Sequence, residues 1–211
     1  MNSYNNTKKK HRRGAIFGVS RSGKNGTIDH FMEIAENHGC RFTSISPMDE
    51  IRRRLNGRQL KNMSLDEKRE LIREVREMID ETALTENVII DEHCCFPATI
   101  GGIAPHDGYH DEKLPHTVVH LDGCKTDYEV VITKEELMKY DFVIILDIPA
   151  EIISERMRRS EGVKKNTTIT LDEIREWEYA EDYILRQFKA GPVPVRITEP
   201  VYTSQVLWDY L

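Results

Sequence analysis
Gly18-Val19-Ser20-Arg21-Ser22-Gly23-Lys24 decides the reading of this chain, because it fits the pattern G-x-x-x-x-G-K and lies between two elements that give the pattern meaning. Ahead of it, Ala15, Ile16 and Phe17 form the apolar run of a buried strand. Behind it, Ile28, Phe31, Met32 and Ala35 recur at helical spacing. Strand, glycine-rich loop and helix together form a phosphate cradle. The glycines let the backbone N–H groups turn toward phosphate oxygens, the helix adds its positive end, and Lys24 adds a full charge. Gly18, Ser20, Arg21, Ser22, Gly23, Lys24, Asn25, Gly26 and Thr27 are therefore the expected contacts for the phosphates of ATP. The motif departs from its pattern at position 25. Ser or Thr there would bind the magnesium that travels with ATP, whereas this chain has Asn25, whose amide oxygen can serve a hard cation directly or through water.

Outward from the loop, strand and helix signals alternate. Gly39 stops the first helix, residues 41–45 return as a strand, and a helix carrying Ile51 and Leu55 follows. Ser64 and Glu67 have capping-box spacing ahead of a long helix with the stripe Leu71, Ile72, Val75, Met78 and Ile79. Val88, Ile89 and Ile90, like residues 142–146, are uninterrupted apolar runs of the kind that suits a parallel strand covered on both faces. A helix over 149–159 comes next, and Thr170 and Glu173 cap another that buries Ile174, Trp177, Ala180, Ile184 and Phe188. A last strand over 193–197 and a short helix over 205–211 complete the pattern. This predicts an α/β domain with a parallel sheet flanked by helices, since parallel neighbours need helical crossovers. Residues 1–13 read as a flexible tail and 14–211 as one domain. Residues 93–139 form an irregular insertion in which 118–121 and 129–132 can pair as a hairpin.

Composition narrows the function. With 30 basic and 36 acidic residues among 211, the net charge of −6 argues against a general nucleic-acid coat or an anionic-membrane binder. No segment has the apolar length of a membrane span or the pattern of a signal peptide, so a cytoplasmic protein is expected. The cysteines at 40, 94, 95 and 124 are too few and too unevenly spaced for a disulfide framework, and reduced thiols are expected. His106, His110, His116 and His120 fall in the insertion without a Cys-x-x-Cys partner, which makes solvated loop histidines the better reading than a zinc site.

Asp91 ends the run Asn87 to Asp91, where residues of an α/β sheet face the ligand crevice. It is the candidate to hold magnesium or to orient the acceptor. Arg158 and Arg159 end a helix and open a lid over 158–170, a recurrent way of enclosing a phosphoryl group whose charge is spread over three oxygens. The loop 18–24, the long helix entered through Met63-Ser64-Leu65-Asp66-Glu67, the strand Asn87 to Asp91 with His93, and the Arg158-Arg159 turn together resemble the archaeal-type adenylate kinases. That resemblance spans most of residues 14–198. It implies a three-layer P-loop kinase fold with a short lid and an ATP-dependent phosphotransferase acting on a nucleoside monophosphate such as AMP. It further implies Lys24 as the phosphate lysine, Arg58, Lys61 and His93 as acceptor contacts, and a homo-oligomer. Another small-molecule kinase, or a non-catalytic nucleotide sensor, is the alternative on the same scaffold.

Overall fold
The apolar run ahead of the glycine loop becomes strand β1 (Arg13–Phe17), buried at every position, in a computed structural model that describes residues 11–59, 62–98, 117–160, 169–187 and 195–197. Helix α1 (Lys24–Asn37) follows, then β2 (Phe42–Ile45), α2 (Pro47–Leu55), α3 (Leu65–Thr85) and β3 (Asn87–Glu92). Helix α4 (Lys134–Leu137) closes the expected insertion, and β7 (Phe142–Leu146), α5 (Ala150–Ser160), α6 (Leu171–Gln187) and β8 (Val195–Ile197) follow it. The main sheet has five strands in the order β2-β3-β1-β7-β8, and every pairing in it is parallel. Strand β1 is central, so the loop leaving it opens at the carboxyl edge of the sheet, where α/β proteins hold their ligands. The expected α/β architecture is the one observed.

Helix boundaries follow local chemistry. Ser64 and Glu67 form a reciprocal capping box at α3, and Thr170 and Glu173 do the same ahead of α6. From α3, Leu71, Val75 and Ile79 are buried, while Ile72 and Met78 pack partly buried at the margin. Phe31 of α1 meets the rings of Phe42 and Phe142 at centroid distances of 4.9 and 5.6 Å. Gly14 admits the Phe142 ring, because a β-carbon at position 14 would lie 2.1 Å from it. Beside the sheet runs a buried charged network. Arg76 of α3 pairs with Glu92 and reaches Glu136 of α4 at 2.9 Å, the Tyr140 hydroxyl donates to Glu92 at 2.9 Å, and Arg13 lies over the Tyr140 ring and pairs with Asp80.

The insertion is more ordered at its ends than the sequence suggested. Strands β5 (Thr117–Val119) and β6 (Tyr128–Val130) form the expected antiparallel hairpin, each starting one residue earlier than expected. A third strand, β4 (Cys95–Pro97), pairs with the other edge of β6 and gives the order β4-β6-β5. The expected lid keeps Arg158 to Ser160 inside α5, and residues 161–168 lie outside the described residues, as do Lys61, most of the tail and the expected helix over 205–211. All four cysteines are free thiols. Among the described residues no helix is long and apolar enough to cross a membrane, and no cluster of His, Cys, Asp or Glu is arranged to hold a metal.

Candidate phosphate-binding site
The loop after β1 takes conformations that its sequence permits. Gly18 and Gly23 have φ of 154° and 108°, and between them Arg21 adopts a left-handed φ of 68°. The Ser22 N–H donates to the Val19 carbonyl at 3.1 Å and closes the turn. Gly23 is the N-cap of α1, and neither a side-chain cap nor an acidic residue occupies the first turn. The first N–H groups of the helix therefore face the loop without a side-chain partner, as an anion site requires.

Lys24 is buried beneath this loop. Its Nζ donates to the Gly18 carbonyl at 2.5 Å, lies 3.1 Å from Nε2 of His93, and stands 3.6 Å from Oδ1 of Asp91. Since an ammonium only donates, Nε2 of His93 is the acceptor and the ring proton belongs on Nδ1. Burial drives the Lys24 ammonium below its usual range against the pull of Asp91, and burial drives the Asp91 carboxyl up against the pull of Lys24. Burial, with Lys24 alongside, holds His93 well below its usual range and keeps the ring neutral. Asp91 Oδ1 has no hydrogen-bond partner within the described protein, which leaves it available to a cation or a hydroxyl.

The site opens into a cleft of about 580 Å³. Arg21, Lys24 and Asn25 line its loop side, Asp91 and His93 its floor, and Asp49 and Arg52 of α2 the wall opposite. A second cleft of about 550 Å³ lies between α1, β2 and α2, and Asn25, Ser46, Asp49 and Asp91 border both. Asn25 and Asp91 thus face one shared space, and their oxygens are hard donors of the kind magnesium takes. Ser20 and Gly26 also line the first cleft. Thr27 does not, because its hydroxyl is turned back onto the Gly23 carbonyl at 3.2 Å. Ser22 is fully buried beneath the loop.

The structure brings Lys24, Asn25, Asp91 and His93 together and leaves three other expected residues apart. Arg158 and Arg159 both pair with Glu155 on the exposed side of α5, and Arg58 pairs with Glu67 at 3.6 Å at the entrance to α3. The arginine of α5 that reaches the loop is Arg156, whose guanidinium donates to the carbonyls of Arg21 and Ser22. The sequence signal for it was its place in the same arginine cluster. Asp49 and Arg52, joined at 2.6 Å, carried no motif, and neither did Glu181 of α6, which lies 3.6 Å from His93.

Three solved structures share this architecture. Shikimate kinase from Bacteroides thetaiotaomicron is 16% identical with a TM-score of 0.50, over 94% of this chain and 97% of its own. Shikimate kinase from Acinetobacter baumannii in complex with shikimate is 14% identical with a TM-score of 0.51, over 94% and 90%. Deoxyadenosine kinase from M. mycoides, with the products dCMP and dCDP bound, is 11% identical with a TM-score of 0.52, over 93% and 97%. The fold is that of the P-loop kinases. No protein-family model and no curated protein matches the chain. In P-loop kinase terms, the strand order places the glycine loop centrally and Asp91 one strand away, since β3 pairs directly with β1.

Proposed function
We propose that this chain is an ATP-dependent phosphotransferase for a small acceptor, with a nucleoside monophosphate such as AMP the first acceptor to test. The observation that carries the reading is Lys24, a buried ammonium held between the Gly18 carbonyl, His93 and Asp91 at the open N-terminus of a helix. Such a cation exchanges a backbone acceptor for a phosphate oxygen while the loop N–H groups take the remaining charge. Catalysis then rests on positioning and charge neutralisation. Asn25 and Asp91 would hold magnesium, which supplies charge neutralisation at the phosphates when bound. Arg156 steadies the loop from α5. Arg158 and Arg159 are read as lid residues, and Arg58, Lys61 and His93 as acceptor contacts.

A kinase for a hydroxyl-bearing metabolite or nucleoside is the second reading. Asp49 and Asp91 favour it, because two carboxylates in the cleft accept hydroxyl hydrogens and repel a phosphate. One structural neighbour holds shikimate and another, a deoxyadenosine kinase, holds dCMP as a product, so hydroxyl-bearing metabolites and nucleosides belong in the same screen as monophosphates. The experiment is acceptor-dependent ADP release over nucleosides, monophosphates and polyols, with Lys24→Met as the control that must lose it. Turnover is then followed against magnesium in Asn25→Ser and Asn25→Leu. Asn25→Ser keeps activity, whereas Asn25→Leu loses at least tenfold and needs more magnesium, if the amide serves the cation. Equal titrations in both variants remove Asn25 from the metal site, and acceptor-independent nucleotide binding alone makes the chain a sensor.

A further inference from the structure
His93 stands between two ionisable groups that approach it from different elements. Nε2 faces Lys24 at 3.1 Å, and Nδ1 faces Oε1 of Glu181, on α6, at 3.6 Å. The ring packs in an aromatic cluster, against Phe96 at a centroid distance of 4.6 Å and against Trp177 at 6.0 Å and 23°, with Phe96 and Trp177 themselves 6.0 Å apart. Trp177 is itself held, its indole N–H donating to the Cys95 carbonyl at 2.9 Å. Glu181 is 4% exposed, and its Oε1, like His93 Nδ1, has no hydrogen-bond partner within the described protein. A carboxyl so deep inside a helix face is costly unless something uses it. Among the described residues, Arg52, Arg76, Asp91 and Glu92 also line the cavities beside the ring, and Glu181 is the acid that approaches Nδ1, at 3.6 Å.

The geometry points to Glu181 as a positioning residue that fixes the tautomer of His93, so that Nε2 offers its lone pair to Lys24 and holds the ammonium over the loop. This inference rests on the kinase reading above for its catalytic consequence and on contacts alone for its structural one. An imidazole with its proton on Nε2 would turn an N–H toward the ammonium and repel it, whereas an acceptor at Nδ1 selects the productive form. Catalytic histidines elsewhere are oriented by a buried carboxylate in this way, and the wrong tautomer is strongly disabling. A carboxyl oxygen 3.6 Å from Nδ1 closes to hydrogen-bond distance with a shift of roughly half an ångström. The residue does not touch the phosphates and acts through His93.

The test uses the full chain, labelled with ¹⁵N, and two-bond nitrogen–proton spectra of its imidazoles, with His93 assigned by comparison with His93→Gln. The expected result is an Nδ1–H tautomer in the parent and in Glu181→Gln, which keeps an acceptor oxygen, and an Nε2–H tautomer in Glu181→Met, which does not. In ADP release, Glu181→Met loses roughly tenfold in kcat/KM for ATP while Glu181→Gln stays within about twofold of the parent. An Nε2–H or cationic His93 in the parent overturns the inference, and so does a Glu181→Met protein that keeps the Nδ1–H form. The parent spectrum decides by itself where a variant fails to fold. Absence of ADP release with every acceptor defeats the kinase reading and leaves the spectral result to decide the tautomer.

Discussion

Burial pushes the Glu181 carboxyl from 4.5 up to about 8, against the pull of Lys24 and the Cys94 N–H. The folded chain therefore keeps a proton that the unfolded chain releases near pH 4.5. The contribution of this group to stability is complete below that pH and is lost as pH rises toward 8, because the native state binds more protons than the unfolded one. Glu181→Gln removes the dependence. Its stability relative to the parent grows from near zero at pH 4.5 to on the order of 3 kcal/mol at pH 7.5, measured by urea unfolding at both values. A difference that stays constant with pH would show that the carboxyl titrates normally. Glu178, half-buried and raised to about 7, falls in the same direction but is common to both proteins and cancels. None of this was legible in the sequence, where Glu181 is one acid among several beside Ala180. Its helix packs against β4 and its carboxyl meets the Cys94 N–H, 87 positions back in the chain, and no local period reports that.

At the level of the element, α5 separates its arginines by face. Arg156 turns inward to the loop, while Arg158 and Arg159, two and three residues on, turn outward to Glu155. Exposed pairs of this kind contribute little, so Arg158→Ala with Arg159→Ala changes stability by less than about 1 kcal/mol. As lid residues they act when the transferring group is enclosed, and the double variant then lowers kcat by at least about tenfold with ATP affinity within about threefold. Unchanged kinetics would return them to the role of a solvated helix end. The sequence marked the cluster without its faces, because the start of the helix was uncertain by a residue. Elements with both a cap and a long apolar stripe, such as α3 and α6, were legible, the stripe of α6 as far as Ile184, with Phe188 outside the described residues. Helix α4 carries the same capping box at Thr133 and Glu136 but is four residues long, too short for a stripe, and it was missed. Strand β4 was missed for a related reason, since Cys95-Phe96-Pro97 is too brief to display alternation.

For the molecule as a whole, the network around Arg76 ties α3, β3 and α4 into one unit. Glu92 and Glu136 are 2% and 8% exposed, so removing the guanidinium leaves two carboxylates buried together. Arg76→Met is expected to cost about 3–5 kcal/mol, read as a lower urea midpoint with an unchanged slope. A loss below about 1 kcal/mol would mean that water reaches both carboxylates. The strands and the glycine loop were readable from apolar runs and glycines, whose constraints are local, whereas the strand order was not. Nor was this network, because its members are far apart in the chain and each looks like an ordinary surface charge on its own element.

The chain has two tryptophans, and the one at 177 is stacked at 23° on the imidazole that receives Lys24. With Trp208→Phe, a single indole remains to emit, and its neighbour is the ring whose charge surroundings are expected to change when the ammonium beside it exchanges the Gly18 carbonyl for a phosphate oxygen. The protein is thereby its own fluorophore. Titrating ATP into Trp208→Phe should shift the emission along a saturable isotherm, and the same titration into Lys24→Met should leave it flat. Emission indifferent to saturating ATP in both proteins would mean that the lysine keeps the Gly18 carbonyl and takes no phosphate oxygen.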